Sequence, residues 1–114
     1  MKETEPTGLI VDLCGKAEPK GERKCIAFRA DMDALTMQEL NVGFDYISKN
    51  NGVAHMCGHD GHMACLVGFV PLYLPLLGKI PKNKIIRLLF QPSEEGPESG
   101  AKLMIEQGFI DDVD

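Results

Sequence analysis

Short apolar runs alternate along this chain with polar segments that carry glycine and proline, and the runs differ in period. Leu9–Cys14 (LIVDLC) is brief, β-branched and bounded by turn formers, which predicts a strand. Gly15–Lys24 (GKAEPKGERK) is polar, with two glycines and a proline, and predicts a turn. Cys25–Arg29 (CIAFR) is nearly continuous in apolar residues and predicts a second strand buried on both faces. These two strands are expected to pair as a hairpin with a long loop. Asn41–Gly52 is polar and turn-rich, and Asp60 is placed as the N-cap of a helix starting near Gly61.

Met63–Gly78 (MACLVGFVPLYLPLLG) is sixteen residues without a charge. It falls short of the roughly 20 residues that span a bilayer, and Pro71 and Pro75 interrupt it. It is therefore expected to be a core helix or a broken helix rather than a membrane segment. An interior proline costs a helix about 3 kcal/mol, so local 3₁₀ geometry or a shortened helix is expected there. Gly78–Lys84 reads as a loop, and Ile85–Gln91 (IIRLLFQ) is the strongest strand signal in the chain. Ser99–Gln107 (SGAKLMIEQ) predicts a helix with Ala101, Met104 and Ile105 on one face and Gly108 as its stop. Phe109–Asp114 is expected to open another strand. Strands alternating with helices predict an α/β layered fold.

Composition narrows the function classes. The 114 residues make one modest domain, with 44% hydrophobic and 25% charged residues, as in ordinary soluble chains. A net charge of −5 and a pI near 5.1 leave no basic stripe, the densest cations being those of Lys16–Lys24. That argues against nucleic acid as a main partner. Cys14, Cys25, Cys57 and Cys65 form no CxxC pair and no disulfide-dense pattern, and Met1–Gly8 is polar with Pro6, unlike a signal peptide. Free thiols in a reducing, cytoplasmic setting are the expectation.

The candidate chemistry centres on Val53–His62 (VAHMCGHDGH), which holds all three histidines and one cysteine. Thiolate and imidazole suit borderline-soft transition metals. Cys57 and His59 are two apart, so in extended backbone they point the same way, and a metal site is favoured over a polar loop with satisfied histidines. A thiolate at Cys57 would sit near the positive end of the following helix, which favours its deprotonated form. Asp31 and Asp33 lie just past one predicted strand, and Glu94 and Glu95 just past another. Sites in α/β sheets gather beyond the carboxyl ends of strands, so the three clusters are expected to converge on one edge. Adjacent glutamates point to opposite sides, so one can ligate an ion while the other holds a water. A bound metal lowers the pKa of water from about 16 toward about 7, and a nearby carboxylate then acts as general base. This suits hydrolysis of an amide or ester. Solvated loop carboxylates are the plainer reading of both acidic pairs.

FRADMDAL (Phe28–Leu35), HMCGHDGH (His55–His62), FQPSEEG (Phe90–Gly96) and SGAKLMIEQG (Ser99–Gly108) resemble, in order and spacing, the M20 metallopeptidase family. The resemblance runs from Thr7-Gly8 to the end and is closest to the amidohydrolases that cleave N-acyl amino acids, hippurate and auxin–amino acid conjugates. It implies a three-layer αβα fold with a mixed, mostly parallel sheet, residues 1–114 being part of a zinc-peptidase-like catalytic domain. It implies a site for two divalent transition metals (manganese, zinc, cobalt or nickel), with Cys57, His59 and Glu95 as ligands. Glu94 matches the catalytic base, and Asp33 the residue that orients a ligand or metal-bound water. Asp31 stands where other branches carry a ligating histidine, and Asp60 and His62 take supporting places.

Members of that branch are several times longer, with an inserted smaller domain for dimer contacts and closure, and two further histidine ligands beyond the position of Asp114. The expectation is thus a truncated copy, inactive alone, whose relatives are homo-oligomers. The implied substrate is a small N-acyl amino acid, with neither nucleic acid nor membrane as partner. Two other readings stand beside it. One is a non-enzymatic binding module. The other is a structural metal site closed by Cys57, His59, Glu95 and either His62 or Cys65.

Overall fold

A computed structural model describes residues 2–3, 7–40 and 43–114. The polar N-terminal residues 1 and 4–6, and the first two residues of the turn-rich 41–52 segment, lie outside the described residues. Strands β1 (Lys2–Glu3), β2 (Leu9–Cys14), β3 (Lys24–Asp31) and β4 (Lys84–Gln91) form one sheet in the order β1-β2-β4-β3. The strand with the strongest sequence signal takes an inner place. Residues 87–91 of β4 are all buried, which requires a partner on each side and a layer on each face.

This requirement overrides the expected hairpin. β2 pairs with β4 antiparallel, Leu9 opposite Phe90 and Cys14 opposite Ile85. β3 pairs with the other side of β4 in parallel, Lys24 opposite Lys84 and Asp31 opposite Gln91. The sheet is mixed, as expected. Its parallel share is smaller: β3–β4 is the one parallel strand pairing among the described residues, because β1 and β2 run against their neighbours. β3 lies at an edge and is not buried on both faces, with Ile26 53% and Phe28 47% exposed.

Alternation along the strands builds three layers. Leu13, Ala30, Leu88 and Phe90 form one core, against which α1 (His59–Tyr73) lays Met63, Leu66, Phe69, Val70 and Tyr73. On the opposite face Ile10 and Leu89 pack with Met104 of α2 (Gly100–Glu106), flanked by Ala27 and Phe109. The order is αβα. The charge-free segment is a broken helix, as its prolines suggest. α1 contains Pro71 and gives way to a 3₁₀ helix at Leu74–Lys79, with Pro75 in the first turn. The 21 helical residues His59–Lys79 contain an 18-residue window of mean hydropathy 1.5 and are long and apolar enough to cross a membrane by length and composition. It is a core helix on one side only: the sheet covers the stripe named above, while Val67, Leu72, Leu74 and Leu76 are exposed.

Ser99 caps α2 by accepting the Lys102 N–H, and Met104 is buried, but Ile105 turns half out to solvent. Phe109–Asp114 forms turns rather than the expected strand. Its acidic side chains satisfy groups that a strand would have met with backbone. The Cys25 N–H donates to the Asp114 carboxylate at 2.8 Å, and the Asp114 N–H donates to the Cys25 carbonyl at 2.9 Å.

Candidate metal centre

Parallel pairing decides where the chemistry gathers. β3 and β4 end together, Asp31 opposite Gln91, so Asp31 and Asp33 leave the same sheet edge as Ser93, Glu94 and Glu95. A two-way bridge between Leu35 and Ala54, 3.0 Å in each direction, then folds the intervening segment back. That returns Cys57 and the start of α1 to this edge. Gly58 makes the last bend with φ 83°, a left-handed conformation suited to glycine. It precedes the helix directly, so α1 begins at His59 and Asp60 falls in the first turn instead of capping it. There its carboxylate faces a favourable helix end.

Asp33 organises the centre. Its Oδ1 lies 3.1 Å from His59 Nδ1, and its main-chain carbonyl 3.0 Å from the same nitrogen. Both partners are acceptors, so Nδ1 carries the proton and Nε2 keeps the lone pair. The other carboxylate oxygen accepts the Glu95 N–H at 2.8 Å. One side chain thus joins the first residue of α1 to the loop after β4. Burial by itself raises the Asp33 pKa, but the backbone N–H groups, Glu95 foremost, and the His59 charge hold it below the ordinary carboxylate value. Burial pulls His59 down, yet its bond to Asp33 and the charges of Asp31 and Asp33 leave it raised.

Around His59, which is buried, stand two donor sets. Cys57, His59 and Glu95 bring a sulfur, a ring nitrogen and a carboxylate oxygen within 4.8 Å of one another. Glu94 Oε2 is 3.9 Å from His59 Nε2. The sequence-predicted residues Asp33, Cys57, His59, Glu94 and Glu95 are therefore brought together. Asp31, His59 and His62 form the second set. Cys65 joins neither, and His62 does not join the first.

Two expectations need correction. Cys57 is not tilted toward thiolate: a hydrogen bond with Glu95 and the charge of that carboxylate, with smaller help from Glu94 and Asp33, push its pKa up. Those full charges outweigh the partial charge of the helix end. Nor is Asp31 a solvated loop carboxylate. It is the last residue of β3, 4% exposed, held through Oδ2 by Arg29 at 3.2 Å. Its Oδ1 has no hydrogen-bond partner among the described residues.

Ser93 was not singled out by the sequence, although it shapes the site. Its φ of 52° is a left-handed turn by a non-glycine residue, directly before Glu94 and Glu95. Its hydroxyl donates to the Glu98 carbonyl at 2.7 Å, and its carbonyl accepts the Gly100 N–H at 3.0 Å. The Pro92-Ser93 step was the available signal, since a proline directly after a strand marks a turn. Beside it a cleft of about 330 Å³ is lined by Asp33, Leu35, Thr36, Ser93 and Glu95, within the range of small-molecule sites. The fit to a divalent metal is good. Sulfur, imidazole and carboxylate are zinc-type donors, and the imidazole is oriented through its far nitrogen.

The sequence model of Peptidase family M20/M25/M40 matches residues 27–114. A thermostable carboxypeptidase of Saccharolobus solfataricus is 45% identical over 111 residues, covering 96% of this chain and 28% of the relative. An N-acyl-L-amino acid amidohydrolase of Geobacillus stearothermophilus is 47% identical over 91 residues, covering 80% and 24%. Among solved structures, a Bacillus subtilis protein described as a dinuclear metal binding peptidase of the M20 family superposes with a TM-score of 0.79. It is 34% identical and covers 94% of this chain and 28% of that one. A putative aminohydrolase from methicillin-resistant Staphylococcus aureus gives a TM-score of 0.82 at 37% identity, covering 98% and 28%. The chain spans about a quarter of the length of these relatives. With a matching family model over most of its length and the fold of solved members, this chain belongs to peptidase family M20/M25/M40.

Proposed function

We propose that this chain carries the metal-binding part of a metal-dependent amidohydrolase that cleaves the amide bond of N-acyl amino acids. The observation that carries this reading is the set Cys57, His59 and Glu95, gathered within 4.8 Å around an imidazole that Asp33 orients. The relatives named for amidohydrolysis and carboxypeptidase activity, and the structure named for dinuclear metal binding, support the substrate class and the cofactor. Cys57, His59 and Glu95 are the proposed ligands, and Asp33 holds His59 in its ligating tautomer. A divalent transition metal, bound as a pair in the whole enzyme, would acidify water and polarise the amide carbonyl.

The chain's own carboxylates do the proton work. Glu94 is half-exposed and 3.9 Å from His59 Nε2, and its proposed role is to accept a proton from water. It then returns that proton to the leaving nitrogen. We read residues 1–114 as part of a catalytic domain, a reading supported by their span of 24–28% of the relatives' lengths. The chain by itself is expected to bind metal without turning over substrate.

Elemental analysis of the purified chain tests the centre. About one transition metal per chain, lost in Cys57→Ala, is expected; no metal in either protein would overturn the reading. The activity is tested in a chimera in which residues 1–114 replace the matching segment of the Geobacillus relative. The chimera is expected to hydrolyse N-acetyl amino acids, and Glu94→Gln to keep the metal while losing turnover by at least about 100-fold. Full activity in Glu94→Gln would mean that the metal is structural or that the base lies elsewhere.

A further inference from the structure

We propose that Asp31, His59 and His62 form a second cation seat, alternative to the one at Cys57 and Glu95, and that the hardness of the ion selects between them. The inference shares His59 with the centre proposed above and otherwise stands on separate residues. Donor atoms of Asp31, His59 and His62 lie within 4.8 Å of one another. Asp31 is the independent sign of a ligand. Its side chain is 6% exposed, and Arg29 takes one oxygen, while the buried Oδ1 meets no donor among the described residues. A carboxylate with one oxygen left so is costly, and a cation bound by that carboxylate would lessen the cost.

The spacing fits as well. His62 Nδ1 stands 3.6 Å from Asp31 Oδ2, the oxygen that Arg29 also holds, too far for a hydrogen bond. Two donors each about 2.1 Å from one ion are about 3.0 Å apart at octahedral angles and about 3.4 Å apart at tetrahedral ones. His62 is half-exposed, so an ion has access from solvent, and its ring stacks on His59 at 5.5 Å between centroids.

The two seats exclude each other through His59. Its Nδ1 proton is held by Asp33, so Nε2 offers one lone pair to one ion. The seats differ in chemistry. Cys57 supplies sulfur and favours thiophilic ions such as cadmium or zinc; Asp31 and His62 supply oxygen and nitrogen and suit manganese. Arg29 beside Asp31 reduces the negative charge of the second seat, which makes it the weaker one for any ion that takes sulfur.

The test titrates the chain with Cd²⁺ and with Mn²⁺ separately, under a non-thiol reductant, and measures bound ion by dialysis and elemental analysis. His62→Ala and Asp31→Asn are expected to weaken Mn²⁺ binding by about tenfold or more and to leave Cd²⁺ within about twofold. Cys57→Ser is expected to do the reverse and to remove the near-ultraviolet thiolate–cadmium band. Should the buried Asp31→Asn fail to fold, the half-exposed His62→Ala decides alone. With both ions present, the bound total is expected to stay at about one per chain, since His59 serves one ion. The proposal is overturned if Mn²⁺ does not bind, if its binding follows Cys57 and ignores His62, or if both ions bind together. Loss of Cd²⁺ binding with Mn²⁺ still dependent on His62 would instead overturn the Cys57-centred reading and leave this one standing.

Discussion

Asp33 works with both oxygens at once, one on the His59 ring and one on the Glu95 amide. Removing it frees the His59 imidazole and the loop that carries the glutamates together. Asp33→Ala is expected to lower affinity for Cd²⁺ by about 10–100-fold, read by competition with a chromophoric chelator. Asp33→Asn is expected to fall in the same direction, because its amide NH₂ must face either the His59 ring N–H or the Glu95 N–H. Unchanged affinity in both would mean that Asp33 does not set the ligand geometry. Its neighbour Asp31 shows where residue-level reading stops. The apolar pattern ends at Arg29, but pairing with β4 continues to Asp31 opposite Gln91, which carries the carboxylate into the interior. No local feature of ADMDAL announces that burial.

At the scale of elements, helix α1 is legible at its far end and illegible at its start. Pro71 and Pro75 mark the change from α to 3₁₀ geometry, because a ring in place of an N–H cannot continue the α ladder. The start was displaced by two residues, since Gly58 reaches a conformation that Asp60 is not required to supply. Two glycines separate these effects. Gly58→Ala, at φ 83°, is expected to cost about 1–2 kcal/mol. Gly61→Ala lies inside α1 with nothing within 4 Å of the added carbon and is expected to stabilise by about 0.5–1 kcal/mol. Urea unfolding midpoints check both, and a matching sign for the two would refute the left-handed bend.

At the scale of the molecule, Arg87 fastens three segments from one face of the sheet. It grips Asp12 of β2 through two bonds of 2.7 and 2.9 Å, and it donates to the Phe109 carbonyl at 2.8 Å and to Asp112. Arg87 is nearly buried, so Arg87→Ala is expected to destabilise by about 3 kcal/mol, at the low end for a broken buried pair because Asp12 and Asp112 reach solvent. Denaturant unfolding measures it. The same contact predicts a pH dependence. Arg87, with help from Arg23 and against the opposing effect of burial, holds the Asp112 pKa below the ordinary carboxylate value. A depressed folded pKa means that this stabilisation is complete above the unfolded pKa and lost as pH falls through the folded one. Asp112→Asn is therefore expected to flatten the acid limb of stability against pH; an unaltered limb would show that the contact contributes nothing.

The sequence by itself determined where β2, β3, β4 and the two α-helices lie to within a few residues, which residue types stand at their ends, and the spacing of a thiol, imidazole and carboxylate set that marks the family. These follow from local period, turn chemistry and motif, all carried within a few residues. Only the tertiary structure decided that β4 separates β2 from β3, that Asp31 is buried, that Asp33 binds both His59 and Glu95, and that the acidic tail closes as turns on Cys25 and Arg87. The reason is physical. A strand apolar on both faces must find partners on each side, and that choice is made between residues sixty and more apart in sequence, where no local pattern can express it.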